Sequence, residues 1–166
     1  MTQATQIAEE TDDVVTYIPA LQAYAMSLTR NKTNAEDLVQ DTLTKAIAKF
    51  HQFQTGTNLR AWLMTIMRNT YFTQIRKAGR EPTGPTDCVS TTLSAPATQE
   101  WSLRGREMQR AVLDLPVHYR ETLILVVMLG HSYEATADIC GVAVGTVKSR
   151  VNRAREMLHD ILEPAN

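Results

Sequence analysis

The stretch YEATADICGVAVGTVKSRVNRAR, residues 133–155, decides how the rest of the chain is read. Ser132, just before it, offers a side-chain oxygen able to cap a short helix from Tyr133 to Cys140. Gly141 opens a three-residue turn, Gly141–Val142–Ala143, because glycine enters the left-handed backbone of a sharp reversal without a Cβ clash. From Val144 to about Leu162, the residues Val144, Val147, Val151, Ala154 and Leu158 recur at helical spacing and mark an inward face. Thr146, Ser149, Arg150 and Arg153 fall at i, i+3, i+4 and i+7 on the opposite face, flanked by Lys148, Asn152 and Arg155. Short helix, glycine turn and basic helix make a helix-turn-helix, with Ala137 small where the two helices must approach. Hydroxyls beside arginines suit a major groove: a guanidinium holds a guanine edge through two hydrogen bonds, and lysine and hydroxyls take phosphates. The bland alternative is a solvated basic face, but turn and helix faces agree on DNA. One local rule is broken, since Ala143 is a poor N-cap.

Working outward, Pro116 suits the first position of a preceding helix that carries the apolar run Leu123–Leu129 and stops at Gly130-His131. That run reads as a buried helix turn and falls far short of the roughly 18–20 residues of a membrane span. A further helix runs from near Trp101 to Leu115. Between Glu81 and about Thr98, Pro82, Gly84, Pro85 and Pro96 stand among Ser and Thr, the chemistry of an extended or disordered linker. The remaining segment reads as three more helices: 14–30, one ending near Phe50, and one from Asn58 to about Gly79. Thr33-Asn34-Ala35-Glu36 looks like a capping box for the second, whose inward positions are Val39, Leu43, Ala46, Ile47 and Phe50. The third has Leu59, Trp62, Leu63, Ile66, Met67 and Tyr71 as its apolar body. No segment alternates long enough to suggest a sheet, so the expected fold is all-α, two small helical domains on either side of a flexible linker.

The net charge of −1 argues at first against a nucleic-acid partner, but its distribution matters more. Residues 30–80 hold nine basic side chains against three acidic ones, and four basic residues crowd into 148–155. On the long third helix Asn69, Thr73, Arg76, Lys77 and Arg80 share a face, with Trp62, Tyr71 and Phe72 interleaved. Cations with aromatics suit single-stranded DNA, although Trp62 fits a core position better than a stacking platform. Asp37, Gln40, Asp41 and Thr44 form a stripe opposite the apolar face of the second helix; taken alone, such a stripe is ordinary solvent-exposed surface.

Three segments, in this order, resemble the extracytoplasmic-function (ECF) sigma factors. Asn34–Thr42 is similar to the family's D-A-E-D-L-V-Q-E-T segment, Gly56–Asn69 to its next helix, and Cys140–Arg150 to its promoter-reading helix. The wording is nearest the EcfG type, the general stress response sigma factors of alphaproteobacteria. Asn34 departs from the family's Asp, and Thr136 and Asp138 make the first helix of the turn motif more polar than the family's alanine-rich version.

The resemblance implies sigma domain 2 over 1–80, a linker over 81–100 and sigma domain 4 over 101–166. It implies that Asp37, Leu38, Gln40, Asp41 and Thr44 dock on the β′ clamp helices of RNA polymerase core, with the β subunit as a further contact. The loop 51–58 would capture a flipped base of the melted −10 element, while Arg60, Trp62, Arg68, Asn69, Arg76, Lys77 and Arg80 hold the opened strands. Thr146, Lys148, Ser149, Arg150, Arg153 and Arg155 would read the −35 element. The implied regulator is a NepR-type anti-sigma factor, and the chain would be a monomer when free.

Other classes fit less well. A decoy that binds only the anti-sigma factor predicts a receiver domain and a damaged recognition helix; an ordinary helix-turn-helix regulator leaves the 34–42 segment unexplained. An enzyme is not expected: His51, His118, His131 and His159 are scattered among loops and helix ends, and no Ser/His/Asp or Cys/His set, phosphate loop or metal spacing accompanies them. Cys88 and Cys140 sit in no Cys-x-x-Cys or Cys/His cluster, so no metal, cofactor or disulfide is expected. The first residues carry no basic start followed by an apolar block, which points to a cytoplasmic protein without a membrane partner.

Overall fold

A computed structural model describes residues 14–79 and 99–163, with side chains in the second segment from Leu103 onward. The expected linker at 81–98, and Arg80 with it, lies outside the described residues. Among the described residues every regular element is helical: α1 (Ile18–Thr29), α2 (Lys32–Lys49), a 3-10 turn (Phe50–Gln52), α3 (Leu59–Ala78), α4 (Gln99–Asp114), α5 (Val117–Leu123), a π segment (Ile124–Met128), α6 (Tyr133–Cys140) and α7 (Val144–Leu162). None is long and apolar enough to cross a membrane.

The caps explain most boundaries. Arg30 takes the left-handed conformation and ends α1, and Asn31, in extended backbone, accepts from the Asn34 amide at 3.0 Å to start α2. The expected capping box at Thr33–Glu36 is therefore replaced by a cap two residues earlier, where the chain already reverses. Asn58 caps α3 by accepting from the Ala61 amide, and Ser132 caps α6 through the Ala135 amide, both as expected. Pro116 is one place earlier than expected: it stands in the N-cap position of α5 rather than inside the first turn.

The first half packs Leu21, Tyr24 and Leu28 of α1 against Leu38 and Val39 of α2 and Leu63, Met64 and Met67 of α3. Ile47, expected to point inward, is 71% exposed. The spacing that suggested an inward Ile47 is met instead by Thr42, buried with its hydroxyl donating to the Leu38 carbonyl. In the second half Leu115, Leu123, Ala137, Val147, Val151 and Ala154 form a second buried cluster.

The two halves are not separate. Leu125, Ile139 and Cys140 of the second half are buried in the core of the first, α1 packs on α5, and α3 packs on α6. The eight-residue helix α6 is thus covered on two sides: Ala137 faces α7, while Ile139 and Cys140 face the first half. Burying a large aliphatic side chain is worth about 1.5–3 kcal/mol, so Leu125 and Ile139 alone give the interface real weight.

The apolar run 123–129 divides by direction. Leu123, Ile124 and Leu125 are buried, and Val127 and Met128 are exposed. The cause is the π segment, closed by Leu129 N–H donating to the Ile124 carbonyl, which rotates the later side chains out of helical register.

Candidate nucleic-acid interface

The helix-turn-helix forms as its sequence dictates. Gly141 sits at φ +65°, and the Val142 amide donates back to the Ala137 carbonyl at 3.1 Å, a Schellman closure of α6. Ala143 starts α7 without a side-chain cap. Val147, Val151 and Ala154 are fully buried, with Val144 and Leu158 packed beside them, so the opposite face must point outward. Ser149, Lys148, Arg153 and Arg155 are exposed, and Thr146 and Arg150 are half-buried. Arg150 keeps one guanidinium nitrogen, Nη1, without a partner among the described residues, although that atom is covered. Arg153 is engaged with Glu156 at 2.9 Å, a solvent-exposed pair. Lys148 leans toward the Tyr133 ring of α6, 5.9 Å from its centre, off the axis of the arginines.

Thr146, Ser149, Arg150 and Arg153 line one concave surface together with Pro116, His118 and Tyr119 at the start of α5. Sequence reasoning missed these last three. No periodicity links residues about thirty positions apart; only the packing of α5 on α7 does.

The long helix α3 presents Asn69, Arg76 and Lys77 to solvent. Trp62 is half-buried in an aromatic trio, with ring centres 6.1 Å from Phe50 and 5.2 Å from Phe53. Those contacts anchor the loop 51–58, which is further pinned by the Thr57 amide and hydroxyl donating to the Gln54 carbonyl. Arg68 is turned away from solvent. Its Nε and Nη2 donate to the two carboxylate oxygens of Glu121, at 3.0 and 3.1 Å, across the boundary between the halves. Tyr24 donates to the same carboxylate at 3.4 Å, and burial, reinforced by that negative neighbour, holds its phenol well above the usual range.

Along α2, Asp37, Gln40, Asp41 and Thr44 form the expected exposed stripe, and Asp41 accepts from the Gln74 amide of α3 at 2.8 Å. Leu38 does not belong to that surface. It is 1% exposed and lies beneath the stripe in the first core, because its place in the helical repeat is the inward one. Thr136, one of the more polar residues of α6, is fully buried, and its hydroxyl has no partner among the described residues.

Arg60 begins α3 beside His131, each with a nitrogen lacking a partner among the described residues. Burial, with the Arg60 charge second, lowers the His131 pKa from 6.5 to about 4. The folded chain therefore keeps His131 neutral, while the unfolded chain takes up a proton as pH falls below about 6.5. Stability is unaffected above that value and declines between 6.5 and 4. At pH 5 the loss from this group should be about 2 kcal/mol relative to pH 8. Urea unfolding at both pH values, on the wild type and on His131→Leu, measures it: the variant should lose about that much less on acidification, and equal losses would remove His131 as the cause. Cys140 is inert by the same physics, since burial, followed by the Glu121 charge, pushes its thiol up to about 12.

Among the described residues no group of three or more His, Cys, Asp or Glu could hold a metal ion. Residues 14–81 match the sigma-70 region 2 family and residues 105–158 match the sigma-70 region 4 family, neither of them a catalytic one. The chain is 46% identical over 151 residues to the ECF RNA polymerase sigma factor EcfG of Rhodopseudomonas palustris (strain TIE-1), spanning 91% of this chain and 83% of that protein. It is 34% identical over 142 residues to the ECF sigma factor SigM of Mycobacterium tuberculosis, spanning 86% and 71%. Among solved structures it is similar to the sigma factor RpoE of Bartonella quintana, crystallised with the anti-sigma factor NepR. That match has a TM-score of 0.82 and 43% identity, and covers 95% of this chain and 99% of that one. With regions 2 and 4 both present in order and a relative of this identity matched over most of its length, the chain belongs to the extracytoplasmic-function RNA polymerase sigma factors.

Proposed function

We propose that this sigma factor docks on RNA polymerase core through the exposed stripe Asp37, Gln40, Asp41 and Thr44, reads the −35 element with α7, and holds the melted −10 strand along α3. The observation that carries the reading is the outward face of α7: Thr146, Ser149, Arg150 and Arg153 line a single surface, backed by a valine core that fixes its direction. Lys148 and Arg155 flank that face and reach phosphates. On α3, Asn69, Arg76 and Lys77 are exposed for the opened strand, while Trp62 positions the base-capturing loop rather than stacking on a base itself.

An apolar groove runs between the halves, lined by Ala23 and Met26 of α1 and by Met108, Val112 and Met128 of the second half. Met128 is 64% exposed. Adaptable methionine surface on both sides suits an amphipathic helix, and a NepR-type anti-sigma factor seated there would grip both halves at once. The EcfG resemblance supports a role in the general stress response, in the cytoplasm, as a free monomer without cofactor or catalytic activity.

Run-off transcription with purified core polymerase tests the reading. The chain should direct initiation from promoters bearing the GGAAC-like −35 element that the EcfG resemblance suggests, and added NepR-type protein should suppress it; no transcript from any such promoter would refute the assignment. Within that assay's binding step, Arg150 and Lys148 should differ. Arg150→Ala should cost about 1–3 kcal/mol on the preferred duplex and relax preference at one or two base pairs. Lys148→Ala should weaken all sequences alike and lower the salt slope by about 1. Titrations of holoenzyme on matched and scrambled duplexes at several salt concentrations separate the two; an unchanged matched-to-scrambled ratio for Arg150→Ala would mean that this helix docks in a rotated orientation.

A further inference from the structure

We propose that Glu121 is an internal lock: it holds the two halves closed and, while it does so, withholds Arg68 and Phe72 from DNA. The DNA half of this inference rests on the function proposed above; the closing half rests on geometry alone. Glu121 stands on α5, yet most of its partners come from the other half of the chain. Arg68 grips both carboxylate oxygens, and Tyr24 donates to one of them. His118, one turn back on α5, adds a contact at 3.4 Å. The carboxylate is 0% exposed and the Arg68 side chain 16%.

The same contacts consume the strand-binding chemistry at this point of α3. The Arg68 guanidinium also lies over the Phe72 ring, 4.5 Å from its centre. On Phe72, His118 stacks nearly parallel, at 6.0 Å and 11°. A cation and an aromatic ring, the pair that single-stranded DNA would use, are thus both engaged by the second half, the guanidinium by Glu121 and one face of the half-buried ring by His118.

Chemistry makes this a switch rather than a weld. A buried ion pair gains little net stability, because attraction is offset by loss of hydration. Its loss of one partner, by contrast, leaves an uncompensated charge. A phosphate can replace Glu121 on Arg68, charge for charge, and separation of the halves returns the carboxylate to water. Wherever the chain is closed Arg68 is occupied, and wherever DNA holds Arg68 the closed arrangement loses its central polar contact; the two are linked reciprocally.

Cys140 supplies a native probe, since it is buried in the core shared by the halves. In a Cys88→Ser background its labelling by dithionitrobenzoate reports opening. Glu121→Gln should raise the labelling rate about a hundredfold or more, because the guanidinium is then buried without its counter-charge. Arg68→Met should raise it similarly. The pair Arg68→Met with Glu121→Leu, which replaces both charges by apolar groups, should return the rate to within a few-fold of wild type. Glu121→Gln should also bind a fluorescein-labelled single-stranded −10 oligonucleotide about tenfold more tightly.

Unchanged labelling in Glu121→Gln would overturn the lock. So would loss of helical circular dichroism in both single variants, which would make the pair a folding requirement. Faster labelling with unchanged oligonucleotide affinity would overturn the withholding of Arg68. Failure of the sigma-factor reading would look different: the wild type would give no run-off transcript, and no variant would bind the oligonucleotide, whatever the labelling rates.

Discussion

Arg120→Met should destabilise the chain by about 3–5 kcal/mol, because three carbonyls lose a charge-assisted hydrogen bond and each buried acceptor left unmet costs about 1–3 kcal/mol. Arg120 is 4% exposed, and among the described residues its guanidinium donates to carbonyls and to no carboxylate. Its Nε donates to the Ser27 carbonyl, in the last turn of α1, and its Nη1 donates to the Leu113 and Leu115 carbonyls at the end of α4. Carbonyls at helix C-termini lack intrahelical partners and carry the negative end of the dipole. One guanidinium therefore closes two helix ends that belong to different halves of the sequence. Burial, with the nearby Arg30 charge second, lowers its pKa, yet arginine remains ionised at any ordinary pH. Methionine fills the volume and leaves the three carbonyls buried and unmet. Arg120→Lys should fall between, because an ammonium cannot reproduce the planar fork. Urea unfolding followed by circular dichroism measures both, and a loss below about 1 kcal/mol for Arg120→Met would show that water satisfies those carbonyls instead.

Reversing Asp37 and Asp41 to lysine should weaken association with core polymerase about a hundredfold or more, within the 2–5 kcal/mol seen when charged interface partners are removed. Both side chains are exposed on α2, and the core beneath them, Leu38 and Val39, is untouched. The folding cost should stay within about 0.5 kcal/mol, as for surface substitutions generally. Asp41 gives up its bond from Gln74, a solvent-exposed contact of small value. Native gel shift or fluorescence titration with core enzyme, beside a melting curve, separates docking from stability. Wild-type affinity in the double variant would move the docking surface elsewhere on the chain.

Neighbouring residues decided what could be read in advance. Ser132, Gly141 and Asn58 act within a few positions of themselves, through a cap or a positive φ, and so the turn motif and the start of α3 stand where the sequence puts them. The valine stripe of α7 follows the helical repeat, and its burial turns Arg150, Ser149 and Arg153 outward. The misreadings have local causes of another kind. Asn31 outcompetes Thr33 as the cap because Arg30 already bends the chain. The π segment breaks the register that made Val127 and Met128 look buried.

By itself the sequence determined an all-helical chain, a helix-turn-helix near its end, and which faces of α2 and α7 are polar. These follow from periodicity and capping, which act over one or two turns of helix. Only the tertiary structure decided that the halves share a core, that Arg120 closes helix ends in both, that Tyr119 joins the surface of Arg150, and that Arg68 is held by Glu121. Arg68 and Glu121 are separated by fifty-three positions, and each alone reads as an ordinary helix charge. Removing both from water is favourable only when α3 and α5 meet at hydrogen-bond distance, a condition of three-dimensional packing that no local spacing encodes.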